Sequence, residues 1–339
     1  MRYAPILGPI QKNQHEYTLD AVDKKLLQAF SADPRQSIAS VAKAARVSRD
    51  VATYRMQRFE ERGIICGTRL VVAVKKLGFD AYHIFLKLSN VEESIEQMIL
   101  KNIIARPYVR SFIKFFGQYD YEIAIIAKSV EDFDEKLSEI IEFTGKYVQS
   151  YDVFIISKYF VSRPMPLSFA THTITEQKYT PAKKLDDLDL KIVQTLANDA
   201  RQPLTAVAQK LNTTVDTVLY RYKKLQEWLV KGTTPVINYH SLGYTIHAVL
   251  LDVAQFDSAQ EQKCMEFVRQ STHVIWAVKT IGRANVLIYF CTKTEQEFQD
   301  AITQLRAQFP QAIRRHDSLS AVSQLKYTIT PDCIFQSQN

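Results

Sequence analysis

Two stretches of the chain carry side chains that could read a polyanion. Val47–Arg62 reads VSRDVATYRMQRFEER, and a related run from Thr213 reads TTVDTVLYRYKKLQE. At helical spacing Ala52, Met56 and Phe59 share one side of the first run. Ser48, Arg49, Asp50, Thr53, Tyr54, Gln57 and Arg58 share the other. An arginine fork can hold guanine, a glutamine can hold adenine, and hydroxyls can hold phosphate. An ordinary solvated helix would pair opposite charges four residues apart, whereas here Arg58 precedes Arg62 and Asp50 precedes Tyr54. In the second run Val218, Tyr222 and Leu225 face inward. Thr213, Thr214, Asp216, Thr217, Tyr220, Lys223 and Lys224 face outward. Val215 stands where the first run has Arg49, so weaker base-reading chemistry is expected there: the second run either reads a different half-site, with Lys223 and Lys224 keeping charge for phosphate, or is mainly a packing module. Arg46, Arg55 and Arg62 add charge beside the first run. Arg55 has two readings, a phosphate contact or a structural bridge to Asp23. The expected partner is double-stranded DNA.

Each run ends a longer repeated unit. LDAVDKKLLQAFSADPRQSIASVAKAA from Leu19 aligns without gaps with LDDLDLKIVQTLANDARQPLTAVAQKL from Leu185. Asp20/Asp186, Asp23/Asp189, Arg35/Arg201, Tyr54/Tyr220 and Arg55/Arg221 coincide, which indicates a duplication. Asp20, Ser37 and Ser48 can cap three successive helices, and Gly63 can stop the third. Three short helices with a tight turn before the last form a helix-turn-helix pattern, closed by β-rich sequence from Ile64 to Val74. Alternating and helical patterns then follow in the order β-α-β-β-α-β, the ferredoxin-like pattern, in both halves. Such a sheet has helices on one face only, so two copies could pack sheet on sheet. The expected class is α+β, two copies of a winged or plain helix-turn-helix domain followed by a ferredoxin-like domain. Expected boundaries are an extension over 1–17, helix-turn-helix domains over 18–75 and 184–240, ferredoxin-like domains over 76–160 and 241–330, a surface linker over 161–183, and a tail over 331–339.

Composition narrows the class. Of 339 residues 46% are hydrophobic, which suits packed cores throughout. Lys and Arg number 43 against 36 Asp and Glu, a formal net charge of +7 that favours an anionic partner. Cys66, Cys264, Cys291 and Cys333 lie far apart, without metal-ligand or disulfide-framework spacing. No metal or cofactor is expected. No apolar run reaches bilayer length and the N-terminus lacks a signal-peptide core, so a cytoplasmic, nucleoid-associated protein with no membrane partner is expected.

The L-D-x-x-D-x-x-L-L opening, the run from Ser48 to Ile65 and the turn Phe116-Gly117-Gln118-Tyr119-Asp120-Tyr121 resemble the Lrp/AsnC transcriptional regulators. The resemblance covers both halves and is weaker in the second. It implies transcription regulation, with amino acids or similar small molecules bound near the Gly-x-Tyr-Asp turn. Carried over, it points to Gly117, Tyr119 and Asp120, and in the second copy to Gly282 and Asn285. The second turn lacks the tyrosine and has an amide in place of the carboxylate. A plain β-turn would use the same glycine and aspartate. Family members pair between chains, so this chain is expected to be an intrachain pseudo-dimer or to form homo-oligomers. Siroheme decarboxylases resemble the same family and need His and Arg beside a tetrapyrrole. Here the candidate region is Thr272-His273-Val274-Ile275-Trp276 with Arg283 further on, His83 and His247 are scattered single histidines, and no repeated His/Arg cluster is present. A sequence-independent architectural DNA-binding protein is the other alternative.

Overall fold

A computed structural model describes residues 17–169, 183–309 and 312–336. The extension before Tyr17 and most of the expected linker therefore lie outside the described residues.

The first copy runs α1 (Ala21–Ala32), α2 (Ile38–Ala45), α3 (Arg49–Glu61), β1 (Ile65–Val72), β2 (Asp80–Leu88), α4 (Glu93–Ala105), β3 (Val109–Phe116), β4 (Tyr121–Ala127), α5 (Val130–Thr144) and β5 (Val148–Ser162). The second runs α6 (Asp187–Ala197), α7 (Leu204–Lys210), α8 (Val215–Gln226), β6 (Val230–Ile237), β7 (Thr245–Val253), α9 (Ser258–Gln270), β8 (Val274–Ile281), β9 (Val286–Thr292), α10 (Glu295–Gln308) and β10 (Ile313–Tyr327). A short helix, α11 (Cys333–Gln336), follows. The elements sort by kind into two compact units. One gathers both helix-turn-helix copies, and the other gathers both ferredoxin-like copies.

In the helical unit each copy starts at a reciprocal cap. Asp20 accepts from the Asp23 backbone N–H (2.8 Å) while Asp23 accepts from that of Asp20 (3.2 Å). Asp186 and Asp189 repeat the arrangement at 2.9 and 3.4 Å. Strand β1 pairs antiparallel with β6, joining the copies, instead of closing only its own copy as a hairpin. Leu70 and Val72 of β1 enter the buried cluster formed by Ile192, Val193 and Leu196 of α6 and Val218, Tyr222 and Leu225 of α8. Neither helix triplet can bury its apolar face alone, so the crossed strand completes the core.

The sheet unit is built by the same exchange. The strands close a ring in the order β10-β3-β4-β2-β5-β8-β9-β7. Long strand β5 pairs with β2 of its own copy and β8 of the other, and β10 pairs with β7 and with β3. Each copy's last strand thus covers the other's open edge, whose N–H and C=O groups would otherwise lack partners. Two buried cations secure the exchange. Lys326 donates to the carbonyls of Ile104 (2.9 Å) and Arg106 (2.6 Å) at the end of α4. Arg163 donates to those of Ser271 (3.2 Å) and Val274 (3.1 Å), and also to that of Arg269 at the end of α9. Helix C-termini attract cations. Burial pushes the Arg163 guanidinium down to about 10.

Two expectations need correction. The start of the expected surface linker is core: β5 continues to Ser162, and Val161, Arg163, Met165 and Phe169 are buried. The expected tail after Pro331 includes a helix, with Ile334 buried and Phe335 packed on the α6–α8 cluster. Apolar residues among prolines and polar residues have no period, so their burial leaves no pattern to read.

Candidate nucleic-acid interface

Helix α3 begins at Ser48, whose hydroxyl accepts from the Val51 backbone N–H (3.2 Å). Ser48 is therefore an N-cap, and its hydroxyl serves the helix first. Ala52, Met56 and Phe59 are buried. Arg49, Asp50, Thr53, Tyr54 and Gln57 are exposed, and Arg58 is half-buried. Tyr54 is 63% exposed, a large ring held in solvent. Arg49, Thr53 and Gln57 lie in one row along the helix, four residues apart. Thr53 Oγ1 donates to the Arg49 carbonyl (2.9 Å), so its methyl is what the row presents. Gln57 Nε2 donates to Glu61 (2.8 Å), an exposed bond that a base edge could replace.

Arg55 resolves to the structural reading. Its guanidinium donates to Asp20 (2.5 Å) and to buried Asp23 (2.7 Å). Those two bonds raise its pKa. The Asp23 backbone N–H, followed by the Arg55 bond, holds the Asp20 carboxyl below its ordinary range. Arg221 repeats the bridge to Asp186 at 2.6 Å and to Asp189 at 3.5 Å. The shared Asp and Arg positions of the repeat thus fix the third helix against the first.

In the second copy Thr214 caps α8, accepting from the Thr217 backbone N–H (3.2 Å). The Thr214 and Thr217 hydroxyls lie 2.8 Å apart. Val218, Tyr222 and Leu225 are buried, while Asp216, Tyr220, Lys223 and Lys224 are exposed and Thr217 is half-buried. Lys224 Nζ lies 4.4 Å from the Tyr220 ring centroid, a cation–π contact. Val215 and Leu219 are 40% and 38% exposed, in the row where α3 has Arg49 and Thr53.

Residues not singled out in the sequence hold the two helix sets together. Arg35 donates to the carbonyl of Ala200 and to that of Gln202 (3.4 Å), with its guanidinium 5.2 Å from the Tyr222 ring. Its repeat mate Arg201 lies 5.3 Å from the Phe30 ring. Their identity in both copies was visible, but identity alone does not say that each reaches across to the other copy.

The two turns of the sheet unit act as joints. Asp120 accepts from Lys87 Nζ and the Leu88 backbone N–H, both at 2.8 Å. Asn285 does the same work by bonding the backbone N–H (3.0 Å) and carbonyl (2.8 Å) of Val253. Gly117 and Gly282 have φ of 144° and 157° and lie against the other copy's last strand. A Cβ on Gly117 would fall 2.8 Å from the tip of Leu319, and one on Gly282 would fall 2.6 Å from the Val153 carbonyl oxygen. Tyr119 donates to Asp152, and Arg283 donates to Tyr119 (2.5 Å) and Asp317 (2.9 Å). Burial and the Asp152 bond push the Tyr119 phenol up. Of these effector candidates Gly117, Gly282 and Tyr119 meet the other copy, whereas the Asp120 and Asn285 side chains bond within their own copy.

The histidines have separate surroundings. His83 pairs with buried Glu122, to which Tyr289 also donates, and stacks on Trp276. His247 stacks on Phe298 and bonds Ser320 (3.1 Å), and burial lowers its pKa. Among the described residues no group of acidic, histidine and cysteine side chains could hold a metal, and no helix is long and apolar enough to cross a membrane.

Two helix-turn-helix copies and a sheet unit closed by strand exchange define a duplicated DNA-binding architecture. Residues 185–226 match the AsnC-type helix-turn-helix domain, and residues 19–65 match a winged helix-turn-helix DNA-binding domain. An uncharacterized HTH-type transcriptional regulator of Pyrococcus furiosus is 31% identical over 106 residues, covering 31% of this chain and 70% of that protein. The HTH-type transcriptional regulator LrpA of Pyrococcus horikoshii is 35% identical over 104 residues, covering 28% of this chain and 74% of its own. The chain belongs to the Lrp/AsnC family of HTH-type transcriptional regulators. A solved siroheme decarboxylase, NirDL, shares the fold over 91% of this chain and 93% of its own, with a TM-score of 0.59 and 14% identity.

Proposed function

We propose that this chain regulates transcription by reading one DNA site with two unlike heads, the first of which supplies most of the polar base contacts. The exposed row Arg49, Thr53 and Gln57 on α3 carries the proposal, because the donors of Arg49 and Gln57 suit base edges in the major groove. Tyr54, Arg58 and the capped N-terminus of α3 at Ser48 serve the sugar-phosphate backbone, and Asp50 faces the same groove. In α8, Thr214, Asp216, Thr217 and Tyr220 lie on the corresponding face, with Lys223 and Lys224 for phosphate. Arg55 and Arg221 position the helices and do not touch DNA.

The ferredoxin-like pair takes the place of the pairing between chains, so one polypeptide presents both heads. Its turns meet the other copy through Gly117, Tyr119 and Gly282, while Asp120 and Asn285 brace their own copy, and an amino-acid effector is not needed to account for these polar groups. The chain acts in the cytoplasm on chromosomal DNA and is not an enzyme. His83 and His247 support that reading, since each is occupied by its own partners, and the decarboxylase likeness concerns fold alone. The test is selection of bound fragments from the source genome, followed by footprinting with Arg49→Ala. The variant should lose ~1–3 kcal/mol of discrimination at one base position and bind other sequences as before. An unchanged footprint and affinity would remove Arg49 from the interface.

A further inference from the structure

We infer that the second head reads thymine through its 5-methyl group, using Val215 and Leu219 of α8. The inference rests on the DNA-binding reading above and deepens it. The outward rows of the two third helices occupy equivalent positions. In α3 the row is Arg49, Thr53 and Gln57, and in α8 it is Val215, Leu219 and Lys223. The first two members of the second row are apolar and remain 40% and 38% exposed. They are one helical turn apart and point the same way, so together they form a short apolar strip. α3 also exposes Val51, but that residue lies off its row, and its mate in α8 is Thr217.

An apolar strip on a helix could serve a protein partner. Charge argues for the groove instead. Lys223 continues the same row and Lys224 stands beside it, both exposed, and Lys210 is exposed at the end of α7. Cations flanking the strip suit a surface lined by phosphates. Thymine is the base whose major-groove edge carries a methyl group, and aliphatic side chains recognise it by apolar contact. Neither Val215 nor Leu219 has a donor for guanine or adenine. The second half-site is therefore expected to be thymine-rich where the first carries purines read by Arg49 and Gln57, which makes the whole site asymmetric.

The test uses the full chain and duplexes selected from a random pool. Thymine is then replaced by deoxyuridine, position by position, so that a methyl is removed without altering the protein. Binding should weaken about fourfold for each methyl that is read. The positions read by α8 should lie together in one half-site, apart from a thymine that the Thr53 methyl of α3 touches in the other. They should become insensitive when the protein carries Val215→Ala and Leu219→Ala. Arg49→Ala should affect only the other half-site. If sites are selected but deoxyuridine is neutral throughout, or if the double variant keeps full sensitivity, thymine reading by α8 is wrong and the DNA-binding reading stands. If no sequence is enriched, sequence-specific binding itself fails and takes this inference with it.

Discussion

The outward row of the first reading helix carries Arg49, Thr53 and Gln57, and that of the second carries Val215, Leu219 and Lys223. The buried rows of the same helices, Ala52–Met56–Phe59 and Val218–Tyr222–Leu225, both stay apolar. Duplication preserved what packing demands and released what solvent or a ligand touches. The sheet unit repeats the lesson. Tyr82 stacks on Phe133 with ring centroids 4.3 Å apart, and His247 stacks on Phe298 at 4.0 Å in the matching place. The stacking contact is shared, but one of the two rings is a phenol and the other an imidazole whose pKa burial lowers. On the inner face Glu122 and His83 of the first copy meet Tyr289 and Trp276 of the second. Leu287 and Ala248 stand at the second copy's positions corresponding to Glu122 and His83. That polar group exists once, which makes the pseudo-symmetry of the interior incomplete.

The comparison can be broken most sharply at the joints. Gly282→Ala places a methyl against a backbone oxygen that cannot move alone, so it should cost ~3 kcal/mol or more. Gly117→Ala meets the tip of Leu319, which can shift, so ~1–2 kcal/mol is expected. Denaturant unfolding followed through Trp276 would measure both, with Trp228→Phe as background so that one tryptophan reports. Equal costs would mean that the two joints are alike after all. The bridging arginines come next. Arg55→Ala leaves buried Asp23 without its cation and should cost ~2 kcal/mol. Arg221→Ala removes longer contacts at a more exposed site and should cost ~1 kcal/mol. Unfolding followed through Trp228 would read this pair, and a larger loss at Arg221 would contradict the geometry.

The smallest effect expected concerns pH. His247 is buried and its folded pKa lies below the ordinary 6.5. The unfolded chain therefore binds the proton more readily, so His247 lowers stability as pH falls through and below 6.5 and has no effect above it. His247→Tyr copies the first half and should flatten that part of the stability profile. A profile unchanged by the substitution would show that other groups govern it.

Much of this architecture was legible from residue type and spacing. The capping aspartates, the buried rows of α3 and α8 and the β-α-β-β-α-β order follow local rules, because helix caps and apolar periods act over a few residues. The outward faces were legible for the same reason. Arg55 was not, since its two readings differ only in whether Asp20 and Asp23 come within reach. Arg35 and Arg201 were visible as repeated letters without a role. Buried Val161, Arg163 and Met165 looked like surface linker because aperiodic burial leaves no trace in the sequence.

The sequence by itself determined the duplication, the kind of each element and which side of each reading helix is polar. Tertiary structure alone decided that the copies exchange strands β1 with β6 and extend β5 and β10 across each other's sheets. It also decided that Arg163 and Lys326 end buried against helix carbonyls. The physical reason is distance along the chain. Caps and periods are satisfied within a few residues, whereas an open sheet edge or an orphan carbonyl takes whichever distant group the completed fold delivers.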